Sequence, residues 1–166
     1  MNAAFASPAA SPGPPWAGSR RSARFYGRVW RGSRLWAALF GAAFIIRTAL
    51  DWFAPPTDFQ TRAAISTALG VGLLLAASFH ASVRSGSVTG GVLSSVVTAG
   101  LGGLIGAAGA ACLLAGWHDP ATLRAIERSG GLGEVFTLPV MLLMPGVVFG
   151  TVGGLVGSAA ARWRRN

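Results

Sequence analysis

Lysine is absent from this chain of 166 residues, cysteine and tyrosine occur once each, and only five side chains are acidic. Each scarcity excludes something. A single cysteine, Cys112, rules out a disulfide within the chain, and its place inside an apolar run makes it a small buried apolar residue. Charged residues make up 11% of the chain, against about 25% in soluble domains. A soluble helical bundle needs a polar stripe on every helix. Val88–Trp117 offers only Ser, Thr and Gly for one. Lysine-free basicity beside abundant Ala, Gly and Pro fits a GC-rich bacterial coding sequence.

What is present is hydrophobic: 52% of residues, gathered into four long stretches with almost no charge. These are Leu35–Phe53, Ala63–Phe79, Val88–Trp117 and Val135–Ala161. About 20 apolar residues in a helix cross a hydrocarbon core. The fold class read from this pattern is all-α, an integral membrane bundle of four transmembrane helices. Domain boundaries follow: 1–34 outside the bundle, 35–161 the transmembrane domain (35–53, 63–79, 88–117, 135–161), and 162–166 a basic C-terminal tail.

Threading four crossings through the chain sorts its charges. Residues 1–34, the loop at Arg84 and the tail after Ala161 share one side and hold ten of the fourteen arginines, with no acid. The other side holds Asp51, Asp58, Asp119, Glu127 and Glu134 with the remaining four arginines. Basic flanks mark the cytoplasmic side. The expected location is therefore the bacterial plasma membrane with both termini cytoplasmic. The formal net charge of +9 is read as a topology signal rather than as a nucleic-acid surface.

Residues 1–19 are rich in Ala, Ser, Pro and Gly, and they read as a disordered tail. Arginines then alternate with aromatics. Arg24, Arg28, Trp30, Arg31 and Arg34 form a juxtamembrane segment suited to anionic lipid headgroups. Ser19-Arg20-Arg21 is only a faint twin-arginine pattern without a cleavage site, and the first apolar run is a retained helix. Trp36, Trp52, Trp117 and Trp163 mark helix ends as an aromatic belt.

Pro55-Pro56 should end the first helix, with Thr61 capping the second, which ends near His80. The short link 81–87 should force an antiparallel hairpin. Asp119-Pro120 supplies an N-cap and a first-turn proline for a short amphipathic helix, Ala121–Arg128. It should lie on the outer face with Leu123 and Ile126 on one side, stopped by Gly130-Gly131. Pro139 and Pro145 interrupt the fourth helix, with the bend expected at Pro145-Gly146.

Glycine spacing is the strongest local pattern. Gly102, Gly106 and Ala110 on the third apolar helix, and Gly146, Gly150 and Gly154 on the fourth, recur every four residues. Glycine-zipper spacing of this kind keeps small residues on one face, where two backbones approach closely. The two helices also share a phrase, Gly102-Gly103-Leu104-Ile105-Gly106-Ala107 and Gly153-Gly154-Leu155-Val156-Gly157-Ser158. Mutual packing of these helices within one chain, homo-oligomer packing and a glycine-lined pore all use such faces.

Arg47 and Asp51 lie four residues apart on one face of the first helix and form a candidate intramembrane ion pair. A structural interfacial pair and an ion or proton pathway are the alternatives. His80 and His118 fall at opposite ends, so they cannot share a metal. The chain shows no catalytic constellation, metal-ligand cluster, nucleophile elbow or phosphate-binding loop, so no enzyme activity, metal or cofactor is assigned. The expected function is a small multi-pass membrane protein acting as an accessory or assembly component of a membrane complex. An oligomeric channel or small transporter built on the glycine-packed helices is the alternative. Expected partners are the bilayer with its anionic headgroups and either further copies or heterologous membrane subunits, not nucleic acid.

Overall fold

The computed structural model describes residues 17–117, 119–128, 133, 137 and 139–164, with side chains from Tyr26 onward except those of Arg28 and Phe59. The expectations for residues 1–16, His118, Gly130-Gly131, Glu134 and the last two residues lie outside this set, as do the side chains of Arg24 and Arg28. The described residues fold into helices α1 (Ala17–Phe53), α2 (Phe59–Ser85), α3 (Val88–Gly116), α4 (Pro120–Arg128) and α5 (Leu143–Trp163). Four spans are long and apolar enough to cross a membrane: Val29–Phe53, Gln60–Ser85, Val88–Gly116 and Pro139–Trp163.

The distribution of residue size fits a lipid solvent. Leu35, Ile46, Ile65, Leu104, Val148 and Leu155 are all exposed on the outside of the bundle. Most buried residues are instead Ala, Gly, Ser and Thr, with Phe40, Trp52, Leu74 and Ile126 as the large apolar exceptions. Lipid gives helices no hydrophobic drive to associate, so the interior is selected for close approach rather than for apolar bulk.

Two helices run well beyond their apolar stretches, whereas α3 matches its stretch to within a residue. α1 starts at Ala17, well ahead of Leu35, because helical hydrogen bonding continues through the arginine-rich segment after the hydrophobic run stops. α2 extends at both ends for the same reason, and only Gly86 and Ser87 separate it from α3. Gly86 adopts φ 69°, a left-handed conformation suited to glycine, and its N–H donates to Ser82 O at 2.8 Å. Ser87 Oγ then accepts from Gly90 N at 3.2 Å.

At the opposite end the cap of α2 is Asp58 rather than Thr61. Its carboxylate accepts from Gln60 N at 2.8 Å and Thr61 N at 3.3 Å, while Thr61 Oγ1 donates to it at 2.5 Å. Asp119 repeats this arrangement on α4, accepting from Ala121 N at 2.9 Å, Thr122 N at 3.2 Å and Thr122 Oγ1 at 2.6 Å. Both carboxyls are held below the usual range, first by the threonine hydroxyl and then by backbone N–H donors.

The fourth apolar stretch has one irregular residue, Leu142, which lies three residues ahead of Pro145 and still keeps right-handed helical angles of φ −75° and ψ −15°. Pro139–Met141 are helical, Leu142 is a turn, and α5 resumes at Leu143. Proline has no N–H to give to the carbonyl four residues earlier, so Pro145 releases the backbone at Met141 and sits harmlessly in the first turn of the resumed helix.

In cross-section α1 packs on α3, α3 on α5, and α5 on α2. α2 and α3 touch across the short diagonal, whereas described residues of α1 and α5 do not meet. α1 and α2 touch more lightly. The short helix α4 folds back on α1, burying Thr122, Ala125 and Ile126. Leu123 turns outward, so α4's inner face runs through Thr122 and Ile126, one turn apart, rather than through Leu123.

Candidate functional site

The glycines are where the helices meet. A Cβ on Gly102 would lie 2.8 Å from Phe40 Cδ1 and 3.0 Å from Ala37 O, and one on Gly106 would lie 2.5 Å from Phe44 Cδ1. Gly109 is filled in the same way by Ile45. Thus α3 offers its glycine row to α1, which inserts Phe40, Phe44 and Ile45. Ala110 continues that side of the helix and is buried with Trp52 and Ile126.

Gly146, Gly150 and Gly154 face α3 but do not meet its glycine row. Their nearest neighbours there are Ala99 at 3.1 Å, Ser95 Cβ at 2.9 Å and Val88 Cγ1 at 3.1 Å from an added Cβ. Gly154 does meet a glycine of α3, but outside that row: a Cβ on Gly91 would lie 2.9 Å from Gly154 Cα, and Gly150 likewise lies against backbone at Val92 Cα, 3.0 Å from an added Cβ.

The shared phrase explains how one helix serves two neighbours. In α3, Gly102 and Gly106 face α1 while Gly103 meets Pro139, ahead of α5, at 2.8 Å from an added Cβ. In α5, Gly153 and Gly157 face Leu75, Ser78, Phe79 and Ser82 of α2, while Gly154 faces α3. Glycines four apart share one face, and the glycine one step on opens the adjoining face.

Hydroxyls fill the interior of the arginine-rich half. Ser33, Ser78, Ser82, Ser94, Ser95 and Thr98 are all buried. Ser33 Oγ and Ser94 Oγ lie 2.9 Å apart, Ser33 Oγ donates to Val29 O at 2.8 Å, and Ser78 Oγ donates across to Gly150 O at 2.5 Å. The Ser82, Ser95 and Thr98 hydroxyls have no hydrogen-bond partner among the described residues. This cluster was not expected from the sequence. The spacing of Ser78 and Ser82, and of Ser94 and Thr98, at four residues was the signal that would have found it.

Arg47 and Asp51 meet, with Nε–Oδ2 at 3.5 Å, and a third residue joins them. Arg62 Nη1 of α2 reaches Asp51 Oδ1 at 3.2 Å and donates to Ala54 O at 3.0 Å. Asp51 is buried between the two guanidinium groups, which remain 27% exposed. The pair is thereby a clamp tying α1 to α2. Arg62 was missed because it lies in a different helix, eleven residues away.

Of the basic-aromatic segment, Trp30, Arg31 and Arg34 are exposed, and the Arg34 guanidinium lies 5.8 Å from the Trp30 ring centre. Trp117 and Trp163 are exposed, as a belt requires. Trp52 is buried instead, because α4 and Ala110 close over it. Cys112 is also the reverse of the expectation, being exposed on the outside of the bundle, where an apolar thiol meets lipid as readily as protein. Among the described residues no group of three His, Cys, Asp or Glu side chains could hold a metal ion. The chain matches no protein-family model, no curated protein and no solved structure.

Proposed function

We propose that this chain is a non-catalytic accessory or assembly subunit of a membrane complex in the bacterial plasma membrane, with both termini cytoplasmic. The observation that carries this reading is the internal use of the glycine faces. Those of α3 are filled by α1 and by Pro139, and those of α5 by α2 and α3. The bundle is thus a self-contained scaffold whose glycine seams are closed internally, with large apolar side chains such as Leu35, Ile65, Leu104 and Leu155 left outward for lipid or for other helices. The orientation rests on the arginine-only end, since basic flanks stay on the cytoplasmic side.

A channel or small transporter is the second reading, favoured by the buried hydroxyls Ser82, Ser95 and Thr98 inside the bundle. The two readings separate on purification in mild detergent. The accessory role expects a single copy in fixed stoichiometry with heterologous subunits and no ion flux after reconstitution. A homo-oligomer that conducts would replace it. For orientation, a cysteine at Thr57 in a Cys112→Ala background should react with an impermeant maleimide from outside intact cells. Labelling only after the cytoplasm is opened would reverse the topology.

A further inference from the structure

The arginine-rich end carries a cleft that the reading above does not use. It lies between α1 and α2, has a volume of about 760 Å³, and is lined in part by Gly32, Ala77 and Ala81, which put no bulky side chain into the space. Arg31 and Arg84 line it, and α2 ends one residue beyond Arg84. Its wall also includes Trp36 and His80, with ring centres 6.4 Å apart, and Ser94.

Its electrostatics are one-sided. Arg84 Nη1 lies 3.5 Å from His80 Nε2, an imidazole that brings no negative charge to offset the guanidinium. Both ion pairs among the described residues belong to Asp51, at the other end of the bundle. No acid occurs anywhere in the segments that form this end. Two guanidinium groups therefore face one cleft without a carboxylate, at the depth where a transmembrane helix meets the headgroup layer.

We propose that this cleft is a discrete binding site for one anionic phospholipid. The phosphate sits between Arg31 and Arg84, the polar glycerol region lies against His80 and Trp36, and an acyl chain occupies the gap over Ala77 and Ala81. Basic pockets between transmembrane helices take anionic headgroups in this way, and guanidinium suits phosphate because its planar donor fork bonds two oxygens at once. The apolar part of the lining, Val29, Trp36, Ala77 and Ala81, offers an acyl chain a surface that free phosphate cannot use, which favours a lipid. The site requires only a membrane-embedded bundle and is independent of any subunit partner.

Thermal unfolding of the full-length protein in non-ionic detergent tests it with three probes: dihexanoyl phosphatidylglycerol, dihexanoyl phosphatidylcholine and inorganic phosphate. Phosphatidylglycerol should raise Tm saturably, and the other two should not. Each of R31Q and R84Q should weaken the apparent affinity about fivefold, the loss of one arginine contact with an anionic headgroup. A81F, which fills the gap but leaves both arginines, should also weaken it, whereas R162Q at the same end should not. An equal shift from phosphatidylcholine or from phosphate would overturn the proposal. So would an undiminished phosphatidylglycerol shift in R31Q and R84Q. If either arginine variant fails to fold, A81F decides, because unaltered binding there means that the cleft is not the site.

Discussion

The two ends of the bundle treat charge in opposite ways. At the acid-bearing end Asp51 is clamped by Arg47 and Arg62, two aspartates cap helices, and α4 closes over Trp52. At the other end Arg31 and Arg84 face a cleft without a counter-charge, and the interior behind them is lined with hydroxyls. Phe53 and Trp117 even pack edge to face at the first end, 5.5 Å between ring centres. One end is finished by its own side chains. The other leaves Arg31 and Arg84 without a carboxylate among the described residues.

The largest expected effect lies in the glycine seam that joins the ends. Gly106→Val forces side-chain atoms into the space Phe44 occupies and should cost about 3 kcal/mol. Gly72 has nothing within 4 Å of an added Cβ, so Gly72→Ala should be neutral or stabilise by up to about 1 kcal/mol. Unfolding in mixed detergent and SDS compares them, and equal losses would show that the glycines act through backbone freedom rather than packing.

Next comes the clamp. Asp51→Asn leaves Arg47 and Arg62 without their shared carboxylate and should cost about 2 kcal/mol, less than breaking a fully enclosed pair because the arginines are partly exposed. The matching substitution at the open end, Arg84→Gln, should stay within about 0.5 kcal/mol in the absence of lipid. Similar losses at both ends would erase the contrast.

The hydroxyl interior separates satisfied from unsatisfied groups. Ser78→Ala removes the bond to Gly150 O and should cost about 0.6 kcal/mol, the average of interhelical hydrogen bonds in membranes. Thr98→Val keeps the shape while removing an unpartnered hydroxyl, and should stabilise by about 1 kcal/mol. A destabilised Thr98→Val would reveal a partner for that hydroxyl.

The smallest effect is an acid limb in stability. Asp58 and Asp119 have lowered carboxyl pKa values in the folded state, so the unfolded chain binds more protons as pH falls. Their contribution is complete above the ordinary carboxylate range and disappears as pH falls through the folded-state values. Asp58→Asn with Asp119→Asn should flatten this limb of Tm against pH and leave the arginine-rich end unaffected. An unchanged acid limb would place its origin elsewhere.

Much of the architecture was legible because lipid imposes a coarse rule. Uncharged runs long enough to cross the hydrocarbon announce themselves, as do Asp119-Pro120 at the start of α4 and the four-residue glycine spacing. The helix ends were less legible. Hydropathy reports where charge begins, whereas α1 and α2 continue as helices past that point. The glycine partners were not legible either, since spacing shows that a groove exists but not whose side chains fill it. Arg62, Trp52 and Leu123 illustrate the same gap. In each case the role was set by a contact with another helix, which the local pattern does not show.

The sequence by itself determined the solvent, the number of crossings and the separation of an arginine-only end from an acid-bearing one. Those properties follow from composition along a line, because every charge and every long apolar run must suit its depth in the bilayer. Tertiary structure alone decided that α3 receives the aromatics of α1, that Asp51 serves two arginines, and that Arg31 and Arg84 share a cleft. Such pairings depend on helix rotation and neighbour order, which in lipid are set by the close fit of surfaces rather than by hydrophobicity.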